Sequence, residues 1–505
     1  MPPMTSSPPL PAGSQPWSPR PATAPPGRLQ SAANRFWEGR REPVPALVLV
    51  GAGGTGLLGA VVLTDRPGLG FALLAAAVWV AAAPALVRGR RWTDLALAAG
   101  SVAAVAVVAL RDSAWVIGTC LPVALVAALV AATGARSTLA VLAAPLTTAA
   151  TAVRALPWLA RSTGRPSGSS IRQVARIGWA VLVAVVLLVV FGELFATADP
   201  VFARLLPHID LSELPVRIVL GGIAAGTAAL VAHLTTTPPP GASFTARRAR
   251  PARLVEWLVP VGALAVFVWL FVLVQLGGLV GGTRAVLAST GLTYAQYARQ
   301  GFGQLLTATA LTLVVVAVAA RRAPRVTPAE RVATSATLGL LCVGTLGVVA
   351  SALRRMDLYV GAFGLTSLRV MATWAELVLG VVLVLVLLAG VRWRATWLPR
   401  AVVGTLVVAV LGLAVWNPDA QIVRYDASAS ETVDLDLAYL GTLSADAVPA
   451  AAALSEPARS CLLATLPREE PESWTSWNLS RARAATTTAG AGCVVPTGST
   501  GTMRP

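Results

Sequence analysis

The sequence predicts an all-α fold, a polytopic transmembrane helical bundle of about eleven spans with its N-terminus inside and its C-terminus outside. Three observations lead there: the apolar composition, the recurrence of long apolar runs, and the uneven placement of arginine. Of 505 residues, 55% are hydrophobic and only 12% charged, and the mean hydropathy is +0.70. One or two water-soluble cores cannot hide that much apolar surface, so the bilayer has to be the main solvent.

A helix crossing a hydrocarbon layer of about 30 Å needs roughly 20 apolar residues. Such runs place spans near 44–64, 68–87, 94–110, 114–133, 177–196, 216–234, 255–278, 302–320, 333–352, 371–391 and 400–416. The stretch Ser137 to Val153 is short, rich in Thr and interrupted by Pro145. It reads as an interfacial or re-entrant segment rather than a twelfth span.

Arginine sets the orientation. All 40 basic residues are Arg, a codon signature of a GC-rich, actinobacterial-type genome. The N-terminal tail and alternate loops carry 25 of them and the opposite loops nine. Cytoplasmic loops are the ones enriched in positive charge. A twelfth span at 137–153 would invert every later loop and erase the bias. The net charge of +17 does not point to nucleic acid, because the Arg residues flank apolar runs instead of interleaving with aromatics. The expected place is the bacterial plasma membrane, in multi-pass form, with membrane lipids as the surrounding partner.

Three regions follow. Residues 1–43, with Pro8, Pro9, Pro11, Pro25 and Pro26, lack apolar periodicity and read as a disordered cytoplasmic Pro/Arg-rich tail. The first apolar run starts too far from the N-terminus for a cleaved signal peptide, so the first span is expected to stay. Residues 44–416 form the transmembrane helical domain. Residues 417–505 carry ten acidic residues against six Arg and form an extracytoplasmic C-terminal segment. Val433 to Leu443 has the makings of short helices, and the last 25 residues read as disordered. This tail also offers a surface for a protein partner.

Several motifs have plain explanations. Gly51, Gly53 and Gly56 match the dinucleotide pattern G-x-G-x-x-G, but the pattern needs a βαβ unit and here lies inside the first span. Close packing of helices through small residues accounts for it. Two His, four scattered Cys and the lack of H-E-x-x-H, C-x-x-C or G-x-S-x-G leave zinc chemistry and hydrolase triads without support. Asp434 and Asp436 alternate with Leu and read as a solvated face. No metal and no cofactor is expected.

Three polar motifs fall on the extracytoplasmic side. Asp199-Pro200 reads as an N-cap and first helical residue, with a role in a polar site as the other reading. Tyr294, Tyr297 and Arg299 lead into the eighth span, where the Tyr pair suits either an aromatic belt or a site. Tyr359, Gly364-Leu365-Thr366 and Arg369 lead into the tenth span. Thr366, Arg369, Thr373 and Glu376 share one stripe of that helix. At about 1.5 Å per residue, Glu376 lies roughly 10 Å deeper than Arg369. An acid at that depth has to face the bundle, a water-filled cavity or a cation. Asp199, Tyr294, Tyr297, Arg299, Tyr359, Arg369 and Glu376 are therefore the candidate lining of one extracytoplasmic polar cavity, with a structural pair of Glu376 and a neighbouring Arg as the alternative. Cys461 and Cys493, the two Cys outside the spans, are the candidate disulfide.

The strings Ala198-Asp199-Pro200-Val201-Phe202, Tyr294 to Phe302 and Leu358 to Arg369, with Asn417-Pro418-Asp419-Ala420 and Leu443-Ser444-Ala445-Asp446-Ala447-Val448-Pro449, resemble an uncharacterised bacterial integral-membrane family of the domain-of-unknown-function type. The resemblance covers roughly residues 75 to 455. It implies a multi-spanning fold and brings no substrate, cofactor or catalytic residue. It departs at Tyr425-Asp426, where the family pattern leads one to expect an Asn followed by Arg a little further on. Three functions stay open on the sequence: a sensory or structural (assembly) membrane protein, a transporter of a small or lipid-like substrate, and a membrane-embedded transferase acting on a lipid-linked substrate.

Overall fold

A backbone inside a hydrocarbon layer has no water to bond with, so each segment must satisfy its own N–H and C=O groups, which a helix does. The computed structural model describes residues 46–80, 82–164, 213–236, 254–280, 302–323, 327–392, 395–429, 435–469 and 473–488, and every regular element among them is helical. In chain order these are α1 (Ala46–Val62), α2 (Leu69–Val80), α3 (Ala83–Arg88), α4 (Trp92–Leu110), α5 (Ala114–Thr133), α6 (Thr138–Gly164), α7 (Leu214–Thr236), α8 (Leu254–Val280), α9 (Phe302–Arg322), α10 (Pro328–Phe363), α11 (Ser367–Arg392) and α12 (Leu398–Trp416). The C-terminal segment adds α13 (Pro418–Ser428), α14 (Leu437–Leu440), a 3₁₀ turn (Ala445–Ala447), α15 (Val448–Ala451), α16 (Ala458–Thr465) and α17 (Leu479–Ala485).

Eight of the described helices are long and apolar enough to cross a membrane: α4, α5, α7, α8, α9, α10, α11 and α12. The span read near 177–196 lies outside the described residues. The single run read over 68–87 is two helices, because Pro84 sits in the first turn of α3. Its ring lacks the N–H and crowds the carbonyl one turn back, so α2 cannot continue through it. The doubtful stretch 137–153 is helical, as the first part of α6. It packs Ala140, Ala144 and Thr151 inward and turns Leu142 and Leu146 outward. The helix α17 starts in the tail at Leu479 and runs through the beginning of the stretch read as disordered.

The spans fall into two groups that meet where α11 packs against α12. Around α2 to α5, α7 and α12 the core holds Trp79, Leu86, Leu97, Val130, Leu234 and Val407. Around α8 to α11 it holds Trp257, Val261, Val316, Leu341, Cys342 and Leu383. The outward faces of the same helices are apolar too: on α12, Val408 and Val415 are 70% and 80% exposed. In water this would be a liability, but towards lipid tails it is the expected surface.

With apolar surface on both sides, what brings two spans together is close backbone approach. Between α1 and α7 a Cβ on Gly59 would collide with Ala224 Cβ, and one on Gly221 would lie 2.7 Å from the Gly56 carbonyl oxygen. Of the G-x-G-x-x-G run, Gly56 belongs to this contact, while a Cβ on Gly53 would meet nothing within 4 Å. Helix packing, not a nucleotide, explains the last glycine of the pattern.

At the end of the bundle away from the C-terminal segment, Asp94 is 1% exposed and lies between two guanidinium groups. Arg91 Nε donates to Asp94 Oδ2 at 2.6 Å, and Arg400 Nη2 is 2.7 Å from Asp94 Oδ1. The same two arginines reach carbonyls at helix ends and just beyond: Arg91 donates to Thr235 and Ala131, and Arg400 to Ala135 in the turn after α5. Cations at C-terminal helix ends are favoured by the orphan carbonyls and the helix dipole. This cluster ties the ends of α4, α5, α7 and α12 together.

The α1–α7 contact yields a direct test. Gly59→Leu and Gly221→Leu should each lower the thermal stability of the detergent-solubilised protein by about 1–3 kcal/mol, the usual cost of overpacking a tight contact. Gly53→Leu should be close to neutral. Equal effects at Gly53 and Gly59 would remove the packing account.

Candidate functional site

The turns at 63–68, 111–113 and 364–366 and the end of α12 all meet the C-terminal segment. The segment folds over them on a core of Ile422, Val423, Leu440, Val448, Leu462 and Leu463 that also takes in Val370 of α11 and Leu413 of α12. The segment is fastened by a small number of buried polar groups.

Asp446, 2% exposed, is the most connected of them. Its Oδ2 accepts from the backbone N–H of Asp112 at 2.8 Å and of Ser113 at 2.9 Å, and lies 3.2 Å from Ser444 Oγ. Its Oδ1 accepts from Ser480 Oγ and lies 3.5 Å from Arg111 Nη1. Ser113 is the N-cap residue of α5 but makes no side-chain cap of its own. A carboxylate from the C-terminal segment therefore does the capping, where N–H groups and the helix dipole favour negative charge. Asp419 works beside it, accepting from Trp115 Nε1 at 3.2 Å and from Ser444 Oγ at 2.7 Å. Asn478 caps α17 through Oδ1 and donates through Nδ2 to the carbonyls of Val108 and Arg111, both at 2.8 Å. Arg111 in turn donates to the last carbonyls of α12, Ala414 at 2.6 Å and Val415 at 3.3 Å. Burial pushes the Asp112 carboxyl above its ordinary value, against the opposing pull of Arg481.

A second cluster closes the turn between α10 and α11. Gly364 has φ +77°, a conformation L side chains avoid, and a Cβ there would lie 2.9 Å from Asp426 Oδ1. Asp426 Oδ1 accepts the Leu365 N–H at 2.6 Å, and Tyr439 OH accepts the Ser367 N–H at 2.7 Å. Arg369 donates to the carbonyls of Phe363 and Gly364, and its Cζ stands 4.3 Å from the centre of the Tyr359 ring. Arg369 and Tyr359 are thus brought together, as a cation–π pair that closes a helix end. Burial raises the Asp426 carboxyl above its ordinary value, opposed by the Leu365 N–H and by Arg369.

Glu376 takes no part in either cluster. It lies nine residues into α11, about 14 Å along the axis, and is 0% exposed. Its Oε1 is 3.1 Å from Thr309 Oγ1 on α9, and its Oε2 has no hydrogen-bond partner. Among the described residues it forms no ion pair. The stripe carrying Arg369 and Glu376 is present, but the two groups serve different neighbours.

Asp199, Tyr294, Tyr297, Arg299 and Cys493 lie outside the described residues. Cys461 is buried on α16, while Cys120 and Cys342 are free and buried within α5 and α10. Asp436 caps α14 by accepting the Tyr439 N–H at 2.9 Å, a local role that accounts for half of the D-x-D. Sequence reasoning passed over Asp446, Asp419 and Asn478 as site residues. The signal for two of them was present, since Asp419 and Asp446 sit inside the strings N-P-D-A and L-S-A-D-A-V-P. Thr309 had none, because Thr is ordinary in a span until its partner is known.

A family model described as a domain of unknown function, DUF4153, matches residues 98–454 of this chain. No curated protein and no solved structure matches. The matched region runs from α4 to just beyond α15, so it takes in both Asp419 and Asp446 but stops short of Asn478.

These clusters predict a specific order of mutational cost. Asp446→Ala strands two amide N–H groups, a serine and an arginine, and should destabilise the protein by about 3–5 kcal/mol, as for a broken buried pair. Asp426→Ala, which strands the Leu365 N–H, should cost about 1–3 kcal/mol. Asp426→Asn keeps the acceptor and removes a charge whose burial is unfavourable, so it should be neutral or slightly stabilising. Because the folded-state pKa of Asp426 is raised, protonation favours the fold: stability gained through this group rises as pH falls through that raised value. Unfolding measured against pH should show that rise in the wild type and lack it in the Asp426→Asn variant.

Proposed function

The chain belongs to the DUF4153 family, a membership that carries no activity with it, and on that premise we propose a sensory or structural (assembly) membrane protein of the bacterial plasma membrane that works through its extracytoplasmic face. It is a multi-pass integral membrane protein. The observation that carries the reading is the C-terminal segment, which packs on an apolar core continuous with α11 and α12 and is fastened by Asp446, Asp419 and Asn478 across the turns of the bundle. Groups so fully hydrogen-bonded are suited to holding a shape rather than to reacting. The segment presents outward groups such as Trp474, 57% exposed, for a protein partner. In this reading Asp199, Tyr294, Tyr297 and Arg299 join the Tyr359–Arg369 pair around an extracytoplasmic polar cavity. A disulfide between Cys461 and Cys493 secures the end of the segment. Its support is that the other two Cys are buried within spans.

A second reading, transport of a small or lipid-like substrate, is favoured by one observation, the buried Glu376 with an open carboxyl oxygen. Intramembrane acids commonly mark pathways.

The two readings separate in one experiment. A photo-crosslinking residue at Trp474, introduced into the full chain in native membranes, should give a protein adduct that the lipid-facing position Val408 does not. Adducts absent at Trp474, together with solute flux in vesicles, would transfer the assignment to transport. Orientation is tested separately: reporter fusions after Gly134 and after Arg172 should both read cytoplasmic, and one after Thr488 extracytoplasmic. Alkylation of both Cys461 and Cys493 in the unreduced protein would reject the disulfide.

A further inference from the structure

The hydrogen bond between Thr309 and Glu376 carries more information than its length. Thr309 Oγ1 lies 3.0 Å from the Leu305 carbonyl oxygen and 3.1 Å from Glu376 Oε1. A hydroxyl owns a single proton, yet both neighbours are acceptors if Glu376 is ionised. A Thr inside a helix ordinarily gives its proton to the carbonyl four residues back, as Thr307, Thr312, Thr345 and Thr373 all do here. If Thr309 does the same, the proton in the second bond has to come from the carboxyl.

The alternative is a carboxylate that takes the Thr309 proton. It would stand 0% exposed, inside a span, with Oε2 unpartnered and no cation within ion-pair distance among the described residues. A charge so placed is costly, and the ordinary response is to neutralise it. The charged groups on the helices around it have other positions or other work. On α9 they are Arg321 and Arg322, about three turns further along. On α10 they are Glu330 and Arg331 at one end and Arg354, Arg355 and Asp357 towards the other. On α11 Arg369 is held by the Phe363 and Gly364 carbonyls, and Arg392 is the last residue of the helix, more than four turns on from Glu376. On α12 Arg400 is paired with Asp94, and on α13 Asp419, Arg424 and Asp426 belong to the C-terminal segment. The other buried polar residues on α9 and α10 are instead neutral: Thr312, Thr334 and Thr345.

We propose that Glu376 is a proton-binding site, held as the neutral carboxylic acid and donating from Oε1 to Thr309 Oγ1, with Oε2 as the carbonyl oxygen, open to accept from a donor. The ligand is the proton itself, which leaves only to a base or with a cation that takes its place. This goes beyond the docked C-terminal segment and stands whether or not that segment binds a partner.

Infrared difference spectra of the full-length protein in lipid vesicles test it. At neutral pH the wild type should show the carbonyl stretch of a protonated carboxyl that is missing from Glu376→Gln, and that band should move on transfer to deuterated buffer. Thr309→Val removes the acceptor but not the acid, so the band should shift and persist, which keeps the test usable if Glu376→Gln does not fold. A wild-type spectrum that loses carboxylate stretches, and no protonated carbonyl, on Glu376→Gln substitution would overturn the proposal. So would spectra of the wild type and Thr309→Val that are identical in the protonated-carboxyl region.

Discussion

The buried carboxylate of Asp446 is the constraint on which the C-terminal face depends. It is a negative charge taken almost wholly out of water, a placement tolerated only with several donors in good geometry. It has them: two backbone N–H groups at the start of α5, the Ser480 hydroxyl and the Arg111 guanidinium. These donors come from separate pieces of the structure, so one side chain settles where α5 begins, where α17 lies and how the end of α12 approaches. Arg111 extends the chain of contacts by binding the open carbonyls of α12. The positive end of one helix and the negative end of another are thereby served by two linked charges.

Asp94 is the counterpart at the other end, with Arg91 and Arg400 on either side. Between these two polar layers the spans have little but shape to specify their neighbours, because lipid and partner helix are equally apolar. That is why Gly56, Gly59 and Gly221 matter where a larger side chain would hold the backbones apart. It is also why polar residues inside the spans stand out. Most of the Thr hydroxyls there return to their own helix. The Glu376–Thr309 contact instead crosses from α11 to α9.

The functional reading turns on a division of labour among polar groups that the chain places near one another in sequence. Arg369 and Glu376 share a helical stripe, yet Arg369 closes a turn against Tyr359 while Glu376 points into the bundle towards Thr309. Saturated groups hold the C-terminal segment, and an unsaturated one sits within the apolar layer. Asp426, within the pair where the chain departs from the family resemblance, fills a backbone role that an Asn side-chain oxygen would also satisfy.

The sequence by itself determined the solvent and the elements. Apolar runs of the right length have one outcome in a bilayer, and the spans read near 114–133, 302–320 and 400–416 correspond to α5, α9 and α12. The resemblance to a membrane family of unknown function was legible as well, and the family model matches residues 98–454. What only the tertiary structure decided is which polar groups meet. Asp446 and Asp112 are more than three hundred residues apart, and Thr309 and Glu376 are 67 apart. Periodicity reports which face of a helix a residue occupies but not the neighbour across from it, because that depends on helix rotation and on turns whose geometry is settled by hydrogen bonds from distant segments.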